Sequence, residues 1–212
     1  MTEIEFAGLR QIVADTVPDV AGMTDGRTGN LSAREGDRVA ITPSGIPYDE
    51  IDASAVPVLS PDGERLAGSL APSSETAMHL GLYRSMDFGA IVHAHAPWAT
   101  TLAVLHEELP PVHYMLAAAG GTVPVVPYEP FGTAALADAV IETMGDAETS
   151  AAILANHGLV AGGEDMGSAI ETAIAVESTA RLYLQASAIG DPVPLTDAQF
   201  QGALEQFEAY GQ

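Results

Sequence analysis

The segment GAIVHAHAPWA, residues 89–99, gives the clearest structural signal in the sequence. Its first part, residues 89–95, is short and apolar and predicts a buried strand. Side chains two apart on a strand share one face, so His93 and His95 point the same way, about 7 Å apart along the strand, while the residues between them face the opposite layer. Two imidazoles on one face can chelate a divalent ion, although structural or surface histidines can have the same spacing. The stretch therefore predicts a central strand that carries a candidate metal pair on one face.

Helical and extended patterns alternate on both sides of this strand. Residues 121–128 and 150–155 predict further strands, and residues 22–52 and 55–70 predict short strands joined by tight turns. The helical patterns cover residues 2–16, 75–86, 98–106, 133–144 and 164–189, with a short terminal helix boxed by Thr196 and Gln199. Together they predict a single α/β domain over residues 1–212, with a mostly antiparallel central sheet covered by helices.

The charge balance is strongly acidic. Asp and Glu number 29 against 7 basic residues, which gives a formal net charge of −22. A nucleic-acid partner is not expected, because phosphate backbones are bound by basic surfaces. The excess of acids is typical of adaptation to a high-salt cytoplasm, where screening makes self-repulsion tolerable, and an ordinary acidic protein is the alternative.

Two residue types are missing, and both absences limit the chemistry. Without cysteine there is no disulfide or thiolate site, so a metal would be held by His, Asp or Glu. All seven basic residues are arginines, so the chain has no lysine to form a Schiff base with a carbonyl substrate. Carbanion chemistry in this chain would need a metal or another electron sink.

The location expected from the sequence is the cytoplasm. No apolar run approaches the roughly 18 residues of a membrane span, so no membrane partner is expected. The acidic start MTEIEFAGLRQ also lacks the basic region of a secretory signal.

A third histidine strengthens the metal hypothesis. His157 follows the apolar strand predicted over residues 150–155, and the Gly158 turn can aim its ring back across the sheet. Three histidines with an open position form the usual catalytic zinc site. The remaining histidines have simpler interpretations: His79 on a helix, His106 in solvent, and His113 without an assigned role.

Three turns rich in small or hydroxyl-bearing residues suggest an anion site. They lie at residues 28–30, 42–45 and 72–75, and the third precedes a predicted helix with Ser73 or Ser74 as its N-cap. Each segment alone is more simply explained as a structural turn or a helix cap. Together the three segments indicate a phosphate pocket built from neutral donors. Glu75, in the first turn of that helix, either complements the helix dipole or acts as a general base near the metal.

At these residues the sequence resembles the class II aldolase/adducin family. The resemblance runs over nearly the whole chain and is strongest to its L-fuculose-1-phosphate aldolases. It rests on the segments TGNLS, ITPSGIPYDEI, PSSET, IVHAHAPWA, VHYMLAAAGG, PYEPFGT, NHGLVA and FEAYG, in that order. Arg27 departs from the pattern, standing where a small polar residue is expected; it either contacts the phosphate or faces solvent.

The resemblance implies a set of site residues. His93, His95 and His157 match the ligands of one Zn²⁺ per subunit, and Glu75 matches a catalytic acid/base that also approaches the metal. Tyr114 matches a catalytic tyrosine donated by a neighbouring subunit of a homotetramer whose active sites lie between subunits. The phosphate pocket matches Gly29, Asn30, Ser44, Gly45, Ser73 and Ser74, and the aldehyde pocket matches Phe131 and Tyr210.

The expected reaction is the reversible cleavage of L-fuculose 1-phosphate, or a related ketose 1-phosphate, to dihydroxyacetone phosphate and L-lactaldehyde. An L-ribulose-5-phosphate 4-epimerase or a methylthioribulose-1-phosphate dehydratase on the same scaffold is the first alternative. A non-catalytic adducin-like module is the second. Imidazole ligands suit several divalent metals, so manganese or cobalt stays open beside zinc.

Overall fold

The computed structural model describes residues 5–24 and 28–209, with side chains described as far as residue 206. The strands among these residues are β1 Asn30–Glu35, β2 Arg38–Ile41, β3 Val58–Leu59, β4 Arg65–Ala67, β5 Ala90–Ala94, β6 Glu108–Leu109, β7 Val123–Val126, β8 Ala151–Leu154 and β9 Gly158–Gly163. The α-helices are α1 Ala7–Met23, α2 Thr76–Ser85, α3 Pro97–Ala103, α4 Ala134–Asp146, α5 Met166–Ser187 and α6 Asp197–Ala209. Short 3₁₀ helices cover Tyr48–Glu50 and Tyr114–Ala119.

The strands form one sheet in the order β4-β3-β2-β1-β5-β9-β8-β7-β6. Every neighbouring pair in the described chain is antiparallel except β7 and β8, which are parallel. The predicted mostly antiparallel sheet within a single helix-covered domain is confirmed. The central strand is β5, and all five of its residues are buried.

Helices cover both faces of the sheet, and the alternation along β5 explains why. Ile91 points into an apolar cluster with side chains from α2 and α4, whereas Val92 points into a larger cluster with side chains from α1, α3 and α5. Burying one such aliphatic side chain stabilises the fold by roughly 1.5–3 kcal/mol. A strand apolar on both faces therefore favours a position between two helical layers, and His93, which alternates with Val92, faces the α2 side.

Several boundaries differ from the sequence-based expectation. Helix α1 continues through Pro18 to Met23 instead of ending at residue 16, because the buried Val13, Val17 and Val20 hold its inner face against the sheet. In the sequence, Thr2 and Glu5 have the spacing of a capping box at the start of this helix, but Thr2 lies outside the described part of the chain. Strands β6 and β9 were not predicted.

The N-terminus of α2 also differs, since its N-cap is Glu75 and not Ser73 or Ser74. Ser73 instead closes the preceding turn, because its hydroxyl accepts from the Glu75 backbone N–H at 3.2 Å. In the described residues, no helix combines the length and the apolar character needed to span a bilayer.

Candidate functional site

His93 lies at the centre of the sheet and is fully buried. Its backbone pairs with Asn30 on β1 and with Val160 on β9. Its Nδ1 lies 2.7 Å from the carbonyl oxygen of Leu159, which can only accept, so Nδ1 carries the proton. The Nε2 atom is thereby left as the lone-pair nitrogen, held in a fixed direction, as is usual for a metal-binding imidazole.

His157 reaches the same point from the turn between β8 and β9. The turn begins with Asn156 in the left-handed region, at φ 55°. At Gly158, where β9 starts, a Cβ atom would lie 2.5 Å from the carbonyl oxygen of Ala94. The absence of a side chain at Gly158 therefore lets the start of β9 approach the end of β5, which carries His157 towards His95.

The three imidazoles form a compact cluster. Their ring centroids are separated by 5.0 Å between His93 and His95, 4.8 Å between His93 and His157, and 4.6 Å between His95 and His157. His95 directly follows β5 and places its Nε2 3.1 Å from Nε2 of His93. Two ring nitrogens that face each other at this distance indicate a common binding point for a ligand or ion.

Glu75 completes the cluster from the N-terminus of α2. Its Oε2 lies 3.1 Å from Nε2 of His93 and accepts from the Asn30 side-chain amide at 2.9 Å. Its Oε1 is buried without a hydrogen-bond partner in the described chain, although Nε2 of His157 lies 3.5 Å away. One potential ligand atom from each of Glu75, His93, His95 and His157 lies within 4.8 Å of the others.

The electrostatics of the cluster suit a divalent cation. Burial raises the pKa of Glu75, but its close contact with His93 and the hydrogen bond from Asn30 lower it by more and hold it well below its usual range. Burial lowers the pKa of His95 and of His157 to about 4 each, and the His93 ring adds to the effect. Metal ligation requires an ionised carboxylate and neutral imidazoles, and the shifted pKa values of Glu75, His95 and His157 favour those forms at neutral pH. The donor set and the unpartnered Oε1 therefore fit a metal ion.

A cleft of about 350 Å³ opens beside this cluster. The three turns singled out in the sequence all line it. Its walls include Gly29, Asn30, Ser44, Gly45, Ser73, Ser74, Glu75, His95, Phe131 and His157. All six predicted phosphate residues thus lie within one cleft next to the His–Glu cluster, and their role in binding phosphate stays a prediction.

Gly29 is the most constrained position of the cleft. Its φ is +101°, and a Cβ atom would lie 2.6 Å from the backbone oxygen of His93. The Tyr48 hydroxyl donates to the carbonyl oxygens of Thr28 and Gly29, at 2.8 and 3.0 Å, and so fixes the same turn from behind. Burial raises the pKa of Tyr48 to about 12, which keeps the phenol protonated as a donor.

The remaining predicted residues lie elsewhere or outside the described chain. Phe131 lines the cleft with 71% of its surface exposed. Tyr114 begins a 3₁₀ helix, is 51% exposed, and is not among the residues that line the cleft. Arg27 and Tyr210 lie outside the described residues.

Sequence reasoning missed two residues that shape the site. Tyr48, in the segment GIPY, gave no signal that it would support the first turn. His79 was assigned only to a helix, yet it is fully buried and bonded to Asn30. Its spacing of four residues from Glu75 was a usable signal, since residues i and i+4 share one face of a helix.

Comparison with known proteins agrees with this geometry. Residues 16–184 match the family described as Class II Aldolase and Adducin N-terminal domain. The chain belongs to this family. The 5-deoxy-D-ribulose 1-phosphate aldolase of Bacillus thuringiensis serovar kurstaki is 45% identical over 195 residues, which cover 91% of each chain. The L-fuculose phosphate aldolase of Escherichia coli K12 is 40% identical over 207 residues, which cover 95% of this chain and 94% of that one.

Solved structures of the class II aldolase family share the fold. A structure of L-fuculose 1-phosphate aldolase superposes with a TM-score of 0.92 at 36% identity, covering 98% of this chain and 100% of the other. Class II aldolases are metal-dependent lyases, and the cluster of Glu75 with three histidines is a site where this member of the family could bind its metal.

Proposed function

We propose that this protein catalyses the reversible aldol cleavage of a ketose 1-phosphate that ends in a methyl group. The products are dihydroxyacetone phosphate and a short aldehyde, L-lactaldehyde from L-fuculose 1-phosphate or acetaldehyde from 5-deoxyribulose 1-phosphate. The two relatives named above point to these two substrates. The observation that carries the proposal is the His–Glu cluster in the wall of a cleft formed by three turns of small residues.

Neutral groups bind the phosphate in this proposal. The described residues lining the cleft include no arginine, whereas they do include the hydroxyls of Ser44, Ser73 and Ser74. Gly29 and Gly45 both have positive φ, which a glycine adopts without strain, and at Gly45 no other atom lies within 4 Å of where a Cβ atom would stand. The third turn also lies at the N-terminus of α2, where the helix dipole favours an anion.

His93, His95 and His157 would hold the zinc ion, with Glu75 able to approach it. When bound, the ion supplies a Lewis acid that stabilises negative charge developing on the substrate's ketone oxygen. The hydrogen bond from His93 to Leu159 orients one ligand ring towards that position. Because the chain has no lysine, this polarisation replaces the Schiff base that other aldolases use.

Glu75 is the proton-transfer group at carbon. In the direction of synthesis its carboxylate removes a proton from the hydroxymethyl carbon of dihydroxyacetone phosphate, and in cleavage it returns that proton. The low pKa of Glu75 keeps the carboxylate ionised at neutral pH, which is the form that a general base needs. Carbon–carbon bond formation then places negative charge on the former aldehyde oxygen, which needs a proton from a second group.

Tyr114 of a neighbouring subunit is that second group. Its phenol donates a proton to the aldehyde oxygen in synthesis and recovers it from solvent. Exposure of half its surface, away from the cleft of its own chain, is consistent with such a role across a subunit boundary. The assembly we propose is a homotetramer with active sites between subunits, in which Phe131 and Tyr210 line the aldehyde end.

A cleavage assay over a panel of ketose 1-phosphates tests the proposal, with metal content measured on the same sample. We expect dihydroxyacetone phosphate from L-fuculose 1-phosphate or 5-deoxyribulose 1-phosphate, loss of the activity on chelation, and its return with zinc. Epimerised or dehydrated products without fragments would show that the scaffold serves one of the other reactions. No turnover by zinc-loaded protein would favour a non-catalytic module.

A further inference from the structure

A buried polar seam runs between α2 and β1, behind the cluster. Glu75, His79 and Tyr83 follow one another at intervals of four residues on α2, so they share one face of the helix. Asn30 and Ser32 are two residues apart on β1, so they share one face of the strand. All five are buried, with His79 and Ser32 at 0% exposure. The two periodicities therefore place polar side chains against each other inside an otherwise apolar layer.

The hydrogen bonds of the seam connect all five side chains. Oδ1 of Asn30 lies 2.6 Å from Nε2 of His79, and the Asn30 amide donates to Glu75 at 2.9 Å. On its other side, Nδ1 of His79 lies 2.6 Å from the Ser32 hydroxyl, which is 2.8 Å from the hydroxyl of Tyr83. His79 thus uses both ring nitrogens, and Asn30 uses both ends of its amide.

The acceptor at the end of the seam fixes the direction of every bond. A carboxylate can only accept, so the Asn30 atom facing Glu75 is the NH₂ group and the atom facing His79 is the carbonyl oxygen. Nε2 of His79 must then carry a proton. Burial lowers the pKa of His79 to about 3, so the ring is neutral and its Nδ1 accepts from Ser32. Tyr83 in turn donates to Ser32, and donation runs in one direction from Tyr83 to Glu75.

We propose that His79 is a positioning residue for the reaction, because it holds the Asn30 amide with its NH₂ group towards Glu75. The proposal rests on the proposed function only in that Glu75 transfers the proton. The Glu75 carboxylate also favours the NH₂ group, but it fixes only that end of the amide, whereas the Nε2–H of His79 anchors the carbonyl oxygen at 2.6 Å. Without that anchor the Asn30 side chain would be held only through Glu75 itself, so it would no longer fix the position of the carboxylate in the cluster.

The rate of proton transfer depends on the position of Glu75 to within the length of a hydrogen bond. A general base acts within hydrogen-bonding reach of the proton it takes, and misplacement by about 1 Å costs about 10²-fold in rate. Glu75 has one oxygen on Asn30 and the other without a hydrogen-bond partner among the described residues, so the Asn30 amide is its main fixed contact outside the histidines. His79 therefore controls the base from the far side of Asn30, without touching substrate.

The tautomer of His79 in the wild-type protein gives a test that needs no activity and no unfolding-prone variant. Nitrogen-15 NMR of histidine-labelled, metal-free protein should show His79 as the neutral Nε2–H tautomer, with the signal assigned by its absence from His79→Gln. The Nδ1–H tautomer, or a doubly protonated ring at neutral pH, would overturn the proposal, because the seam would then run in another direction.

Three variants test the consequence for catalysis. His79→Gln keeps a side-chain N–H of similar reach, His79→Leu removes it at similar volume, and Tyr83→Phe removes a buried hydroxyl at the far end of the seam. We expect His79→Leu to lower kcat about tenfold or more with KM changed by less than about threefold. His79→Gln should recover most of kcat, and Tyr83→Phe should remain within about twofold of wild type even if its Tm falls.

Equal losses in His79→Gln and His79→Leu, or losses that follow Tm across all three variants, would overturn the positioning role. If His79→Leu does not fold, the tautomer and the comparison of His79→Gln with Tyr83→Phe still decide the matter, since a kcat loss in His79→Gln larger than about threefold contradicts the proposal. Failure of the proposed function is distinguishable, because wild-type protein would then yield no dihydroxyacetone phosphate while the tautomer measurement stays valid.

Discussion

Acid should destabilise this protein through His79, and the size of the effect follows from its burial. The ring is fully buried and neutral, with a pKa lowered from 6.5 to about 3 by desolvation and by the nearby His93. In the unfolded chain the same ring binds a proton below its ordinary pKa. The unfolded state therefore binds more protons than the native state between pH 6.5 and about 3, and stability is lost as the pH falls through that window.

Below the pKa that His79 has in the unfolded chain, each pH unit of acidification lowers the free energy of unfolding by about 1.4 kcal/mol through this residue. Between pH 7 and pH 5 it therefore removes about 2 kcal/mol from the free energy of unfolding. Other groups, including Glu75, His95 and His157, also make the stability depend on pH. The useful quantity is therefore the difference in the free energy of unfolding between wild type and His79→Gln. Urea unfolding of both proteins, chelated and at constant high salt, measures that difference at each pH.

Between pH 7 and pH 5, the free energy of unfolding of wild type should fall by about 2 kcal/mol more than that of His79→Gln. The variant is expected to be the less stable of the two at pH 7, and the gap should narrow on acidification. If both proteins lose stability in parallel, within about 0.5 kcal/mol, His79 is not a buried neutral ring and the assigned direction of the seam fails with it.

Four further outcomes are expected. Glu75→Gln should slow solvent hydrogen exchange into dihydroxyacetone phosphate by about 10²-fold, and unchanged exchange would leave Glu75 as a helix-terminus charge. Gly29→Ala should cost about 1–3 kcal/mol of stability and raise KM, because its Cβ would lie 2.6 Å from a carbonyl oxygen of β5. Gly36→Ala, with positive φ but open space around it, is the matched control and should cost less. Hybrids assembled from Tyr114→Phe and His95→Ala subunits should regain part of the activity that each homomer lacks, and verified hybrids with no recovery would exclude a shared site. Melting temperature should rise from low to molar KCl as the charge of −22 is screened, whereas a flat or falling profile would argue against salt adaptation.

The central layer of the fold was predictable because its signals are local. The GAIVHAH segment is a short apolar run typical of a buried strand, and the helices that cover the sheet carry helical periodicity, although the end of α1 and the N-cap of α2 were predicted wrongly. Strand β9 was missed because GLVAGG contains three glycines and reads as a turn. Its glycines are explained only by tertiary packing: at Gly162 a Cβ would meet the Phe88 ring, and at Gly163 it would meet the start of α5. Such close approaches have no signature in a single sequence.

The candidate site also has one part that the sequence predicted and one part that it did not. The cluster of His93, His95 and His157 follows from strand alternation and one turn, so chemistry and spacing were enough to propose it. The seam behind it needs two elements, α2 and β1, to be placed face to face, and the sequence alone did not say which helix covers which strand. His79 was therefore assigned to a helix, although its spacing from Glu75 indicated that both residues lie on one face.

The acidity of the chain restricts how a phosphorylated substrate can be bound. The proposed substrate is an anion and the protein has a formal net charge of −22. The described walls of the cleft include the acids Glu75 and Glu129 and no arginine to oppose them. Among the described residues the attraction must come from the N-terminus of α2, from turn amides and from hydroxyls, which together act over only a few ångströms. A divalent cation on the histidine cluster would be the largest positive charge in the cleft. It would therefore serve substrate binding as well as carbanion stabilisation, and at molar salt the long-range repulsion of the remaining surface would be screened within about 3 Å. In a high-salt environment, screening would let the anionic substrate approach the cleft, and a metal ion on the histidine cluster would then retain it.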